Sequence, residues 1–145
     1  MSEQTPAGIE LMREFVPSSP FARKLGIEVV DLGSDWAHLR LPIDESLETG
    51  GGIVHGGALA ALADTAATAA CWTAAEITAV RGGATVSLTV NFTAAARGQS
   101  LAARAAVLRR GRSVCFAEVR VTDDDDELVA HVLVTYRFRA ATPGA

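Results

Sequence analysis

The chain has 145 residues, 49% of them hydrophobic and 21% charged, enough for one domain with a substantial core. Its net charge of −4 argues against a nucleic-acid partner, which would require a basic surface. Met1-Ser2-Glu3-Gln4 shows no positive region followed by an apolar run, so no secretory leader is expected and a cytoplasmic location is predicted.

The first predicted element is a short amphipathic helix over residues 7–15, broken at Val16-Pro17-Ser18. Ser19 and Pro20 fit the N-cap and first position of a helical turn that stops at Gly26. A helical segment over about 7–25 thus precedes a core over about 26–139, in a single domain spanning 1–145.

Two strands come next, Ile27 to Leu32 and Trp36 to Leu41, joined by a turn at Gly33-Ser34-Asp35. In the second, Ala37, Leu39 and Leu41 alternate with Trp36, His38 and Arg40. Pro42 ends it, and the loop from Ile43 to Val54 is acidic and then glycine-rich.

A long alanine-rich helix is predicted from about Gly57 to about Glu76, roughly 30 Å at about 1.5 Å per residue. Its weakly polar composition resembles a membrane span, but the alanines, threonines and Asp64 argue for a helix buried in protein, with no membrane partner. Between Gly50 and Ala75, Asp64 is the only Asp, Glu, Lys or Arg. Its neighbours three and four residues away are Ala60, Ala61, Ala67 and Thr68, so no cation on its own helix can pair with it. An unpaired carboxylate on such a face is costly to bury and is rarely kept for packing. His55 stands at the helix entrance, and this stretch is read as an active site.

Arg81-Gly82-Gly83 is expected to separate the helix from the next strand. Val86, Leu88, Val90 and Phe92 then oppose Thr85, Ser87, Thr89 and Asn91 with period two. Strands over 101–108, 113–122 and 128–138 complete the chain, with turns at Arg109-Arg110-Gly111-Arg112 and Asp123 to Asp126. Six strands with one long helix after the second give an α+β fold, a six-stranded antiparallel sheet with the helix on one face. The run of four aspartates is read as a solvated hairpin tip, not a metal site.

Other catalytic patterns fail. There is no Gly-x-Ser-x-Gly elbow and no Lys-Ser/Thr ending to the glycine loop. His38, His55 and His131 lack the spacing of a zinc site, and Cys71 and Cys115 lack that of a zinc or redox motif. No metal or cofactor is expected.

Gly52-Ile53-Val54-His55-Gly56-Gly57 followed by Leu62-Ala63-Asp64 resembles the hotdog-fold acyl-CoA thioesterases, most closely the phenylacetic-acid-degradation type. The resemblance covers about residues 20–139. It implies a hotdog fold, in which the sheet wraps around the central helix, and hydrolysis of an aryl- or medium-chain acyl-CoA. Coenzyme A would then be part of the substrate. It further implies Gly56 N–H as the principal oxyanion donor, Asp64 as general base or nucleophile, and Thr85 where relatives carry a Ser or Thr facing the reacting centre. An outward-facing strand threonine is the other reading of Thr85. Gly57, like Gly56, lacks a side chain, so an acyl carbonyl can approach its amide. His55 either fixes the loop or takes part directly.

One departure is Thr49, which stands where the family usually places an Asn that holds the attacking water. Thr49 itself, Asn91 or a shifted loop would have to serve. Arg109, Arg110 and Arg112 crowd one hairpin and would either meet the phosphates of coenzyme A or form a solvated turn.

The step from His55 to Asp64 spans roughly 13 Å of helix, too far for Asp64 to reach a carbonyl held at its own helix N-terminus. A homodimer with antiparallel helices, each supplying Asp64 to the other's site, is therefore expected, and the family implies a homotetramer of two such dimers. The alternatives are a hotdog-fold enoyl-CoA hydratase or dehydratase, or a non-catalytic acyl-CoA binding protein.

Overall fold

The computed structural model describes residues 5–141. Met1 to Gln4, on which the leader reading rests, lie outside the described residues. Helix α1 (Ala7–Ser18) buries Ile9, Met12 and Val16, the spacing of a single helical face. It carries Pro17 in its last turn instead of breaking there, because Ser19 N–H still closes on Phe15 O at 2.8 Å. Only the N–H that proline lacks is forfeited. Helix α2 (Pro20–Leu25) begins on Pro20 and stops at Gly26, whose φ of 81° is left-handed.

Strands β1 (Glu28–Gly33) and β2 (Trp36–Pro42) form the predicted hairpin. The expected loop after Pro42 contains a short 3-10 turn at Glu45–Leu47 and a small hairpin, β3 (Glu48–Gly50) with β4 (Ile53–Val54). Helix α3 (Gly56–Thr73) is next, then strands β5 (Val80–Phe92), β6 (Ser100–Arg110), β7 (Val114–Thr122) and β8 (Leu128–Ala140). The six-stranded sheet has the order β1-β2-β6-β7-β8-β5, and every neighbouring pair is antiparallel.

The sheet wraps α3. Ala63, Ala66, Ala67, Ala69 and Ala70 are fully buried, and alanine lets the strands approach the helix backbone closely while holding a strong helix propensity. Leu62 of α3 and Leu39, Leu101, Val119 and Val132 of the sheet are also inaccessible. Each such side chain contributes about 1.5–3 kcal/mol by leaving water.

Three boundaries differ from the pattern reading. Helix α3 ends at Thr73, not near Glu76. The Thr73 hydroxyl donates to Ala70 O at 2.7 Å and accepts from Asp35 N–H at 3.0 Å, tying the last turn to the β1–β2 turn. Arg81, Gly82 and Gly83 lie inside β5, and Arg109 and Arg110 inside β6, because the neighbouring strands supply partners for their backbones.

A further difference bears on the site. Strand β5 does not alternate strictly: Thr85 pairs with Tyr136, and Ser87, the next paired residue, with Thr135. Val86 has no opposite number, which makes it a β-bulge. The extra residue places Thr85 on the face of Tyr136, beside Leu88 opposite Val134 and Val90 opposite Val132. Those β8 partners are buried against the helix, so Thr85 faces α3 together with Leu88, Val90 and Phe92 and does not oppose them.

Candidate active site

The entrance to α3 is built by glycines. Gly50, Gly51 and Gly52 have φ of 132°, 64° and 78°, values that side-chain-bearing residues rarely adopt. Arg97 Nη1 donates to Gly51 O at 3.0 Å, Gly52 N–H donates to Glu48 Oε2 at 3.1 Å, and Val54 N–H donates to Ala96 O at 2.9 Å. His55 N–H donates to Leu47 O at 2.7 Å. The loop is therefore held on both sides as it delivers the chain into the helix.

His55 is the N-cap of α3, and its Nδ1 accepts from Gly57 N–H at 2.8 Å. That bond requires an unprotonated Nδ1, with the ring proton on Nε2. Ala58 N–H and Leu59 N–H both turn to His55 O, at 2.9 and 3.4 Å. Among the described residues, Gly56 N–H is left without a partner, at the positive end of the helix dipole. The two glycines thus divide the work. Gly57 spends its amide on the cap, and a Cβ there would lie 2.9 Å from His55 Nδ1. Gly56 keeps its amide free, and a Cβ there would lie 3.0 Å from the Phe92 ring.

Asp64 lies two turns further along. Thr85 Oγ1 donates to Asp64 Oδ1 at 2.6 Å, a short charge-assisted bond that the bulge at Val86 makes possible. Asp64 also borders a cleft of about 210 Å³ beneath α1 and α2, with Phe15, Val16, Phe21, Thr65 and Thr68 on its walls. A second cleft of about 210 Å³ runs from Phe21 and Leu25 to His55 and Gly57. Phe21 borders both, and 60% of its surface is exposed.

Other predicted site residues stand elsewhere. Thr49 is exposed on β3, and its side chain makes no hydrogen bond among the described residues. Asn91 pairs with His131, whose chain neighbours Ala130 and Val132 point into the core, so Asn91 lies on the sheet face turned away from α3. Arg110 sits at the opposite end of the helix. Its Nε and Nη2 donate to Asp35 Oδ1 at 3.0 and 2.7 Å, and Nη2 also donates to Cys71 O at 2.8 Å. Arg112 is exposed in the nearby β6–β7 turn. Neither reaches Gly56 or Asp64 within the chain. Phe92 and Arg97, which touch the glycine entrance, carry no motif; only the strand pairing brings them there.

A six-stranded antiparallel sheet wrapped around one long alanine-rich helix is the hotdog fold, the fold of a class of thioester hydrolases. The thioesterase superfamily model matches residues 51–130, from the glycine loop to the start of β8, and the chain belongs to that superfamily. A candidate esterase of Halobacterium salinarum is 35% identical over 80% of this chain and 78% of its own length. A thioesterase family protein of Silicibacter pomeroyi superposes with a TM-score of 0.86 at 25% identity, covering 93% of this chain and all of the other. The fold is also that of the PaaI protein of the E. coli phenylacetic acid degradation operon, with a TM-score of 0.83 at 19% identity over 96% and 99% of the two chains. Among the described residues, no helix is long and apolar enough to cross a membrane.

Proposed function

We propose that the protein hydrolyses the thioester of an aryl- or medium-chain acyl-CoA, releasing the free acid and coenzyme A, at two equivalent sites of a homodimer. One observation carries this reading: Asp64, the one carboxylate and the one charged side chain of α3, is held by Thr85 beside an apolar cleft. A carboxylate held this way serves chemistry better than it serves packing or simple apolar binding.

The acyl carbonyl accepts from Gly56 N–H, which stabilises negative charge as it develops on oxygen. Asp64 lies eight residues beyond Gly56, about 12 Å along the axis, so the carboxylate that serves each Gly56 comes from the other subunit. Thr85 occupies Oδ1, leaving Oδ2 of Asp64 to take a proton from water. The water oxygen bonds to the acyl carbon, the tetrahedral oxyanion rests on Gly56 N–H, and its collapse breaks the C–S bond. The thiolate leaves and collects a proton, giving acid and coenzyme A. The acyl group lies in the cleft under α1 and α2, whose Phe15 and Phe21 suit an aryl or medium-chain alkyl group.

Strand β5 supplies the dimer edge. It is 13 residues long, it ends the sheet, and Val86, Leu88 and Phe92 expose 58, 38 and 56% of their surface. A long apolar edge strand left open is an association surface. The family leads us to expect two such dimers in a homotetramer. The test is coenzyme A release from a panel of aryl- and fatty-acyl-CoA esters, for wild type and Asp64→Ala. The expected result is hydrolysis that falls by orders of magnitude in the variant while the dimer persists. A folded wild type that cleaves no thioester would refute the reading.

A further inference from the structure

The face of the sheet turned away from α3 carries a row of opposed basic side chains. His38 of β2 pairs with Arg104 of β6, Arg104 with Arg120 of β7, and Arg120 with His131 of β8. Their chain neighbours, among them Leu39, Ala103, Val119 and Val132, are buried on the helix side, so all four point outward. Like charges directly opposite one another destabilise a sheet, yet Arg104 and Arg120 are so placed in a chain of net charge −4. The row is only partly offset. His131 pairs with Glu118 at 2.6 Å, and Arg104 Nη1 donates to Thr122 Oγ1 at 3.3 Å. Among the described residues neither Arg104 nor Arg120 has an ion pair.

Beside the two arginines lies a cleft of about 350 Å³, walled by Trp36, His38, Arg104, Glu118 and Arg120. Its floor is Ala106, which stands between Trp36 and Glu118 in the next row of the sheet. A side chain as small as alanine leaves a depression between two large neighbours. The Trp36 indole leans over Gly33 of β1, where a Cβ would collide with it. The ring therefore leaves Ala106 open, and 40% of Trp36 stays exposed. Burial and the nearby Arg104 charge push the His38 imidazole below its ordinary value of 6.5, against the pull of Asp31, so it is a neutral hydrogen-bonding group at neutral pH. Two guanidiniums and one carboxylate leave the walls with one net positive charge, which balances a single carboxylate and not a phosphate dianion. A flat apolar wall and an alanine floor beside guanidinium forks fit a planar ring that carries a carboxylate.

We propose that this cleft on the outer face of the sheet binds a small aromatic carboxylate, its ring over Ala106 against Trp36 and its carboxylate at Arg104 and Arg120. Strands β2, β6 and β7 all contribute to the walls, so an occupied cleft ties three strands together. Gly56 and Asp64 belong to α3, on the other face of the sheet, and the cleft under α1 and α2 shares no residue with this one. The assignment therefore stands apart from the acyl-CoA reading.

The experiment titrates benzoate and 2-naphthoate, with inorganic phosphate as the contrast, into the full chain, followed by calorimetry and tryptophan fluorescence. The proteins are wild type, Arg104→Ala/Arg120→Ala, Arg104→Lys/Arg120→Lys and Trp36→Phe. Wild type is expected to bind the acids saturably and more tightly than phosphate, with a change in tryptophan emission. The alanine pair should weaken acid binding about tenfold or more, and the lysine pair, which keeps the charge and loses the fork, should fall between. Trp36→Phe should lose the emission change. Wild type that binds neither acid, or binds phosphate more tightly, would overturn the assignment. So would an affinity unchanged in the alanine pair, or an emission change that survives in Trp36→Phe, since either places the acid elsewhere. Coenzyme A release by the alanine pair is expected to match wild type, so failure of this site and failure of the thioesterase reading are told apart.

Discussion

Thr85 Oγ1 donates to Asp64 Oδ1 at 2.6 Å, across a bulge that places both groups on the helix side of the sheet. The bond occupies Oδ1 and leaves Oδ2 for the water of the proposed reaction. Thr85→Val, which keeps the shape and removes the hydroxyl, should lower kcat about 10- to 100-fold with little change in KM. Thr85→Ser should keep most of the rate. Equal kcat values for the valine variant and wild type would remove Thr85 from the site.

Gly56 is the first residue of α3 and comes directly after His55, whose φ and ψ are −61° and 134°. Proline is well tolerated at the first helical position and after a residue in this extended conformation. Gly56→Pro therefore deletes the free N–H and preserves the helix, at the cost of a small shift of the Phe92 ring 3.0 Å away. We expect kcat to fall about 10²–10³-fold with the circular dichroism spectrum unchanged.

The far end of α3 should matter for stability and not for chemistry. Arg110 joins Asp35 to the carbonyl of Cys71, placing a cation at the negative end of the helix. Arg110→Met should cost about 1–2 kcal/mol, read as a lower Tm or denaturant midpoint, and should leave kcat for a thioester unchanged.

Burial pushes the Tyr136 hydroxyl above its ordinary value of 10.0, although the hydrogen bond from Trp72 Nε1, at 2.9 Å, acts in the other direction. The folded chain then holds this proton more tightly than the unfolded chain does. Its stabilising contribution is complete below about pH 10 and is lost as pH rises through the folded value. Unfolding followed by denaturant titration should show an alkaline decline in wild type that is reduced in Tyr136→Phe. The variant should also lose some stability at neutral pH, because Trp72 N–H loses its acceptor.

The six strands, the central helix and the Asp64 and His-Gly-Gly signals were legible because each rests on local chemistry: period-two alternation, alanine at a close-packed face, and a lone carboxylate without a cation. The bulge at Val86 was not, since a bulge is defined by a partner strand, and strict alternation turned Thr85 away from the helix. The partition between Gly56 and Gly57 was equally hidden, because it depends on where the His55 ring points. Arg110 shows the same limit. Three arginines in one hairpin are open to two readings, phosphate contact or a solvated turn, and only the fold shows Arg110 bound to Asp35 and the helix end.

In the proposed reaction each site takes Gly56 from one subunit and Asp64 from the other. Gly56→Pro and Asp64→Ala proteins, each inactive alone, should be unfolded together, refolded as a mixture and assayed for coenzyme A release. Random pairing makes half the dimers mixed, each with one intact site, so activity should return to about a quarter of the wild-type value. A refolded mixture that exchanges subunits and still releases no coenzyme A would contradict the shared site and place the chemistry within a single chain.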